Sequence, residues 1–213
     1  MAHHRKYVAA ATALNTAISV IEAAAAYQAG SLSLVMDSIH NFSDELALVA
    51  LYLAFVLSQG ISRHLLRTAN VFNSVGLLAV SALLLGQAME RLLHPAPVQG
   101  AIVIATGQLA AAANFGVAYL LIKPARNNAA IRLAYVHNRG DVWVSLAPVG
   151  AGLLLTLTGY LFFDPVVAAA VAIWFMVSTG REVFASHEEL IWPEKIVCGH
   201  SDHESEGAVQ SSN

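Results

Sequence analysis

A single cysteine, Cys198, among 213 residues leaves no partner for an internal disulfide. Charged residues make up only 12% of the chain, about half the share of roughly 25% found in soluble globular domains. Their balance is slightly acidic, a net charge of −3, which excludes the basic surface of a nucleic-acid binder. There is no Gly-rich phosphate loop for an ATP-driven pump and no H-E-x-x-H box for a zinc hydrolase. In place of these the chain is 57% hydrophobic, with a mean hydropathy of +0.60. Such a composition excludes a disordered chain and an ordinary water-soluble fold.

The hydrophobic residues fall in long runs. A membrane-spanning helix needs about 20 mostly apolar residues, since the hydrocarbon core is about 30 Å thick and each helical residue rises 1.5 Å. Six runs qualify, over residues 7–28, 32–58, 69–93, 100–123, 129–158 and 162–184. Turn chemistry separates them: Gly30-Ser31, Gln59-Gly60, His94-Pro95 with Pro97, Lys123-Pro124, and Gly159 ahead of Asp164-Pro165. The runs are too long for barrel strands and lack their alternation. The first has no A-x-A cleavage site and exceeds a signal-peptide core, so it is read as a span. The expected fold is an all-α integral membrane protein of six transmembrane helices, which make up one domain over 1–184. The polar, mostly acidic stretch 185–213 is expected to be a short, disordered cytoplasmic tail.

Charge placement gives the orientation. Arg5, Lys6, Arg63, Arg67, Lys123, Arg126, Arg132, Arg181 and Lys195 all fall on one side of this arrangement, nine of the eleven basic residues. By the positive-inside rule that side, with both termini, is cytoplasmic. The expected location is a plasma membrane, in bacteria the inner one.

The polar residues inside the runs carry the chemistry. A charge at the bilayer centre costs about 2.5–3.5 kcal/mol on insertion scales, so an intramembrane ionisable group has a functional reading by default. The second and fifth runs each hold the pattern H-N-x-x-D, as His40-Asn41 with Asp44 and as His137-Asn138 with Asp141. A spacing of i, i+4 puts His and Asp on one helix face, one turn apart. Each His lies eight residues into its run, about 12 Å along the helix, so antiparallel helices would bring the two pairs level near the midplane. Two imidazoles and two carboxylates make a ligand set suited to tetrahedral zinc, with the related ions cadmium or cobalt also fitting. The alternative for each single motif is a hydrogen bond that glues helices together.

These residues resemble the cation diffusion facilitators, a family of six-helix zinc and divalent-metal exporters. Residues 30–44 (GSLSLVMDSIHNFSD) look like that family's second-helix signature, and residues 137–141 (HNRGD) like its fifth-helix one. Softer matches are Glu22, Glu90 with His94-Pro95, Asn114, and Asp164-Pro165. The resemblance implies that His40, Asp44, His137 and Asp141 form the transport site. Most members carry a cytoplasmic metal-binding, dimerising domain after the membrane part, and here only the short tail stands in that place. A homodimer in the lipid bilayer, with metal ions as the ligands, is what the resemblance implies for partners. It implies no organic cofactor.

Other polar residues have less specific readings. Asp37, one turn before His40, is either a relay or gate carboxylate or a group in water at the outer mouth. Arg139 lies about 200° around its helix from His137 and needs either a partner or a water-filled path, with Glu45 and Glu22 the candidate counter-charges. Asn73 and Asn114 read as interhelical hydrogen bonders, and the Ala23–Ala26 and Ala110–Ala113 runs as close-packing surfaces. Cys198, His200 and His203 in the tail are either a metal-acquiring cluster or solvated side chains. The function expected from all this is zinc export coupled to inward protons. A passive metal channel is the alternative, and an intramembrane metal-dependent enzyme ranks below both.

Overall fold

A computed structural model describes residues 2–54, 59–126 and 129–185. Six helices follow one another: α1 (Ala2–Ala29), α2 (Leu32–Ala54), α3 (Gln59–Leu93), α4 (Gly100–Ala125), α5 (Ala129–Thr158) and α6 (Phe163–Ala185). No strand occurs among the described residues. The helices begin and end near the turn signals of the sequence, and the protein is an all-α, multi-pass membrane protein. The tail residues Cys198, His200 and His203 lie outside the described residues, as does the side chain of Asn73.

Among the described residues, five helices are long and apolar enough to cross a membrane: α1, α3 from Ser74, α4, α5 from Ala134, and α6. The exception is α2, whose 23 residues match the bilayer in length but include Asp37, Asp44 and Glu45. All three carboxylates are buried within the bundle. The helix is thus polar toward its neighbours, where ionisable groups in a membrane belong. A second departure is α3, which begins ten residues before the expected 69 and runs for 35 residues. The added segment, 59–68, contains no proline, and its charged residues are good helix formers, so the helix continues beyond its apolar length.

Packing sorts the helices around α2. It contacts α1, α3, α5 and α6, while α4 lies against α1 and α5. One apolar cluster joins α1, α2, α4 and α5 through Val8, Leu48, Leu121 and Ile131; another joins α2, α3 and α6 through Met36, Leu84, Ala172 and Phe175. The most extensive contact is between α4 and α5, and it depends on glycine. A Cβ on Gly107 would lie 2.8 Å from Val149 Cγ2, and one on Gly152 would lie 3.0 Å from the Gly100 carbonyl oxygen. Small residues let backbones meet where lipid offers no hydrophobic drive for association. Ala110, Ala111 and Ala113 are buried as expected, whereas Ala23 and Ala24 are exposed.

One end of the bundle is tied by polar contacts. Gly30 ends α1 with φ +64°, a left-handed cap closed by bonds from the Gly30 and Ser31 amides to the Tyr27 and Ala26 carbonyls, at 3.3 and 3.2 Å. The buried Asp164 of α6 accepts from the Leu32 amide at 2.7 Å and from the Ser31 and Ser33 hydroxyls, each at 2.6 Å. Its negative charge therefore faces the electropositive start of α2. Arg91 of α3 donates to the Gly30 carbonyl, and the Gln99 amide donates to the Ala29 carbonyl at 2.9 Å.

Candidate metal centre

His40 and Asp44 occupy successive turns of α2, and His137 and Asp141 do the same on α5. Where the two helices meet, the motifs pair crosswise. His40 Nε2 lies 3.0 Å from Asp141 Oδ1, and His137 Nε2 lies 2.8 Å from Asp44 Oδ1. The first residue of each motif thus meets the last of the other, which is the pattern two antiparallel helices impose. Within each motif the His and Asp are 3.5 Å apart on α2 and 3.8 Å apart on α5. One donor atom from each of the four residues falls within 4.8 Å of the others.

These spacings suit a small cation. A tetrahedron with metal–ligand bonds of about 2.0–2.1 Å has edges of about 3.3 Å. The four His–Asp distances bracket that value, so the side chains would need only small shifts to ligate. Asp44 Oδ2 and Asp141 Oδ2 are buried and accept no hydrogen bond, leaving lone pairs free for a ligand. His40 is 4% exposed, and its ring lies 4.2 Å from the ring of Phe175 on α6. The His137 side chain is 51% exposed and gives the cluster its opening to the surroundings. Phe175 is a site residue that sequence reading missed, since an apolar residue in an apolar helix carries no signal.

The remaining polar residues are distributed differently from the sequence expectation. Asp37 is 1% exposed, so it does not stand in a water-filled mouth. It accepts a hydrogen bond from Ser145 of α5 at 3.2 Å. Glu22 accepts from the Asn41 side chain, and Glu45 accepts from the Thr16 hydroxyl. Neither forms an ion pair with Arg139, which is exposed and has no salt bridge among the described residues. The physical reason is helical geometry: two residues beyond His137, Arg139 points away from the face that meets α2. Asn114 bonds across helices as expected, to Asn41 Oδ1 at 3.2 Å and to Ser145 Oγ at 3.1 Å.

Comparison with known proteins bears on what such a bundle does. Residues 8–191 match the cation efflux transmembrane domain. The chain belongs to the cation efflux family. Among its relatives is a cadmium, cobalt and zinc/H(+)-K(+) antiporter of Bacillus velezensis, 29% identical over 168 residues, covering 74% of this chain and 54% of that protein. Another is the zinc transporter ZitB of Escherichia coli, 28% identical over 181 residues, covering 81% of this chain and 58% of the relative. An uncharacterised transporter of Synechocystis is 37% identical over 114 residues, covering 50% of this chain and 37% of its own length. All three are named as transporters or antiporters, not as enzymes. The cation efflux chain spans little more than half the length of the first two.

Proposed function

We propose that this cation efflux protein carries divalent metal, zinc foremost with cadmium or cobalt as related cargo, out of the cell in exchange for protons. The observation that supports the reading is the buried crosswise quartet of His40, Asp44, His137 and Asp141, four donor atoms within 4.8 Å between two helices. The names of the relatives point the same way, since they include zinc transport and exchange for protons.

The chemistry follows from the donors. Two imidazoles and two carboxylates favour zinc over magnesium or calcium, which prefer more oxygen ligands. Each His–Asp contact is a place where a proton and a metal compete, because His must be neutral and Asp ionised to ligate. An ordinary imidazole titrates near pH 6.5, within the physiological range, which makes histidine a suitable carrier for an exchanged proton. Moving a divalent cation outward against 100 mV costs about 4.6 kcal/mol, and inward protons offset that. Alternating exposure of the quartet to the two sides then gives antiport.

The setting proposed is a bacterial inner membrane with both termini cytoplasmic, on the strength of the nine basic residues grouped on one side. A second copy of the chain is the proposed protein partner. Its proposed contact is the Ser74–Leu93 part of α3, the apolar span with the smallest buried share among those of the described residues. No organic cofactor or nucleic acid enters the cycle.

The test is zinc flux in proteoliposomes with and without an imposed pH gradient, for the wild type and for the His137→Ala, Asp44→Ala double variant. Uptake driven by the gradient and lost in the double variant is expected. Flux down the zinc gradient alone, indifferent to pH, would make the protein a channel. Stoichiometric zinc binding with no flux would overturn transport altogether.

A further inference from the structure

Beside the metal quartet, the structure holds a second group of buried polar side chains that the exchange reaction proposed above does not use. Glu22 of α1 and Asp37 of α2 are 0% and 1% exposed, and the Asn41 side chain, one turn after Asp37 on the same face of α2, donates to Glu22, which brings the two carboxyl groups together. Three further side chains connect them the other way round. Asn41 Nδ2 donates to Glu22 Oε2, Asn114 Nδ2 donates to Asn41 Oδ1 at 3.2 Å and to Ser145 Oγ at 3.1 Å, and Ser145 Oγ donates to Asp37 Oδ1 at 3.2 Å. The five side chains form a closed ring drawn from α1, α2, α4 and α5.

Counting hydrogens around the ring isolates one link. The Asn114 amide spends both of its hydrogens, the Ser145 hydroxyl spends its one, and an Asn41 amide hydrogen serves Glu22. Every link then has a donor except that between Glu22 and Asp37, where Glu22 Oε1 and Asp37 Oδ2 accept no hydrogen bond. Two carboxylates in contact, away from water, cannot both stay ionised. Of the charged groups that face Asp37, His40 on its own helix favours the carboxylate and Asp141 on α5 opposes it, while α4 presents the neutral Asn114, so the proton falls to Glu22.

We propose that Glu22 and Asp37 hold one proton between them, as a counter-ion site separate from the four metal ligands. Glu22 carries it as O–H and donates to the Asp37 carboxylate. Release breaks that O–H bond, passes the proton to water and leaves two negative charges, so it requires the ring to open. The ring grips both motif-bearing helices, at Asn41 next to His40 and at Ser145 one turn beyond Asp141. A shift of α5 against α2 that changes access to the quartet therefore opens the ring as well. Proton release and metal movement are linked by the same displacement.

The inference rests on the exchange reading, and its test separates the two. Glu22→Gln keeps the ring intact, because the new amide donates to Asp37 and its oxygen accepts from Asn41, but it binds no exchangeable proton. Infrared difference spectra of the full chain in lipid are expected to show a protonated carboxylic acid that shifts in heavy water and is missing from Glu22→Gln. Zinc binding to the variant, measured by calorimetry, is expected to stay at the wild-type level and also reports that the fold is intact. The steady-state zinc ratio built by a pH gradient is expected to fall by about tenfold for each unit of pH difference, the loss of one coupled proton. An absent acid band, or potassium- or sodium-dependent zinc flux lost in Glu22→Gln, would place a metal cation between the carboxylates and overturn the proposal. An unchanged zinc ratio in Glu22→Gln would overturn it too. A wild type that builds no zinc ratio from a pH gradient would sink the exchange reading instead, while the infrared band would still report on the proton.

Discussion

His137 and His40 are the two imidazoles of the proposed metal site, in unlike surroundings. Half of the His137 side chain is exposed, whereas His40 is buried against Phe175. Removing either takes one donor of four. Loss of a supporting group around a metal costs about 10–100-fold in affinity, so loss of a direct ligand should cost at least the upper part of that range. We expect His137→Ala to weaken zinc binding by about 100-fold or more, measured by calorimetry in detergent, with little change in thermal stability because its side chain packs loosely. Phe175→Ala should do the reverse, lowering the unfolding temperature while leaving all four ligands in place. The quartet was legible in the sequence because a His and an Asp at i, i+4 share a face, and equal depths make two such pairs meet. The counter-charge assigned to Arg139 was not legible. Helical angle alone says where a side chain starts from, and on neighbouring helices Glu45 finds Thr16 and Glu22 finds Asn41 and Asp37 in place of a cation.

At the scale of elements, the contact of α4 with α5 carries the bundle half that positions Asp141 and Ser145. Gly107→Val would drive a side chain into Val149 and toward the Ser145 carbonyl, 2.8 and 3.1 Å from the new Cβ. Overpacking of this kind costs about 1–3 kcal/mol. A lower unfolding temperature together with weaker zinc binding is expected. Gly150→Ala on the same helix is the control, since its Cβ would meet nothing within 4 Å. That variant should hold or gain stability, Ala being about 0.5–1 kcal/mol better than Gly within a helix. Asp164→Ala removes the acceptor at the start of α2. A single helix cap is worth about 0.5–2 kcal/mol, and this carboxylate also holds two hydroxyls, so its loss should reach the upper end in thermal unfolding. Helix number and turns were readable from apolar length and from Gly and Pro. The early start of α3 was not, because hydropathy reports where a helix enters lipid and not where its backbone begins to coil.

For the molecule as a whole, charge asymmetry predicts sidedness, and Cys198 supplies the probe. As the chain's one thiol, it should react with a membrane-impermeant maleimide in inside-out vesicles and resist it in intact spheroplasts. Labelling from the outside would invert the topology and with it the direction of export. The tie around Gly30 has a consequence for how such a molecule moves. Four helices and the turn before α4 converge there, through Asp164, Arg91 and Gln99. A rod held at one end turns small rotations into large displacements at the other. The knot is in that sense a fulcrum for α2, and His40 and Asp44, about 12 to 18 Å along the helix from Leu32, would move less in a rotation about it than residues farther along.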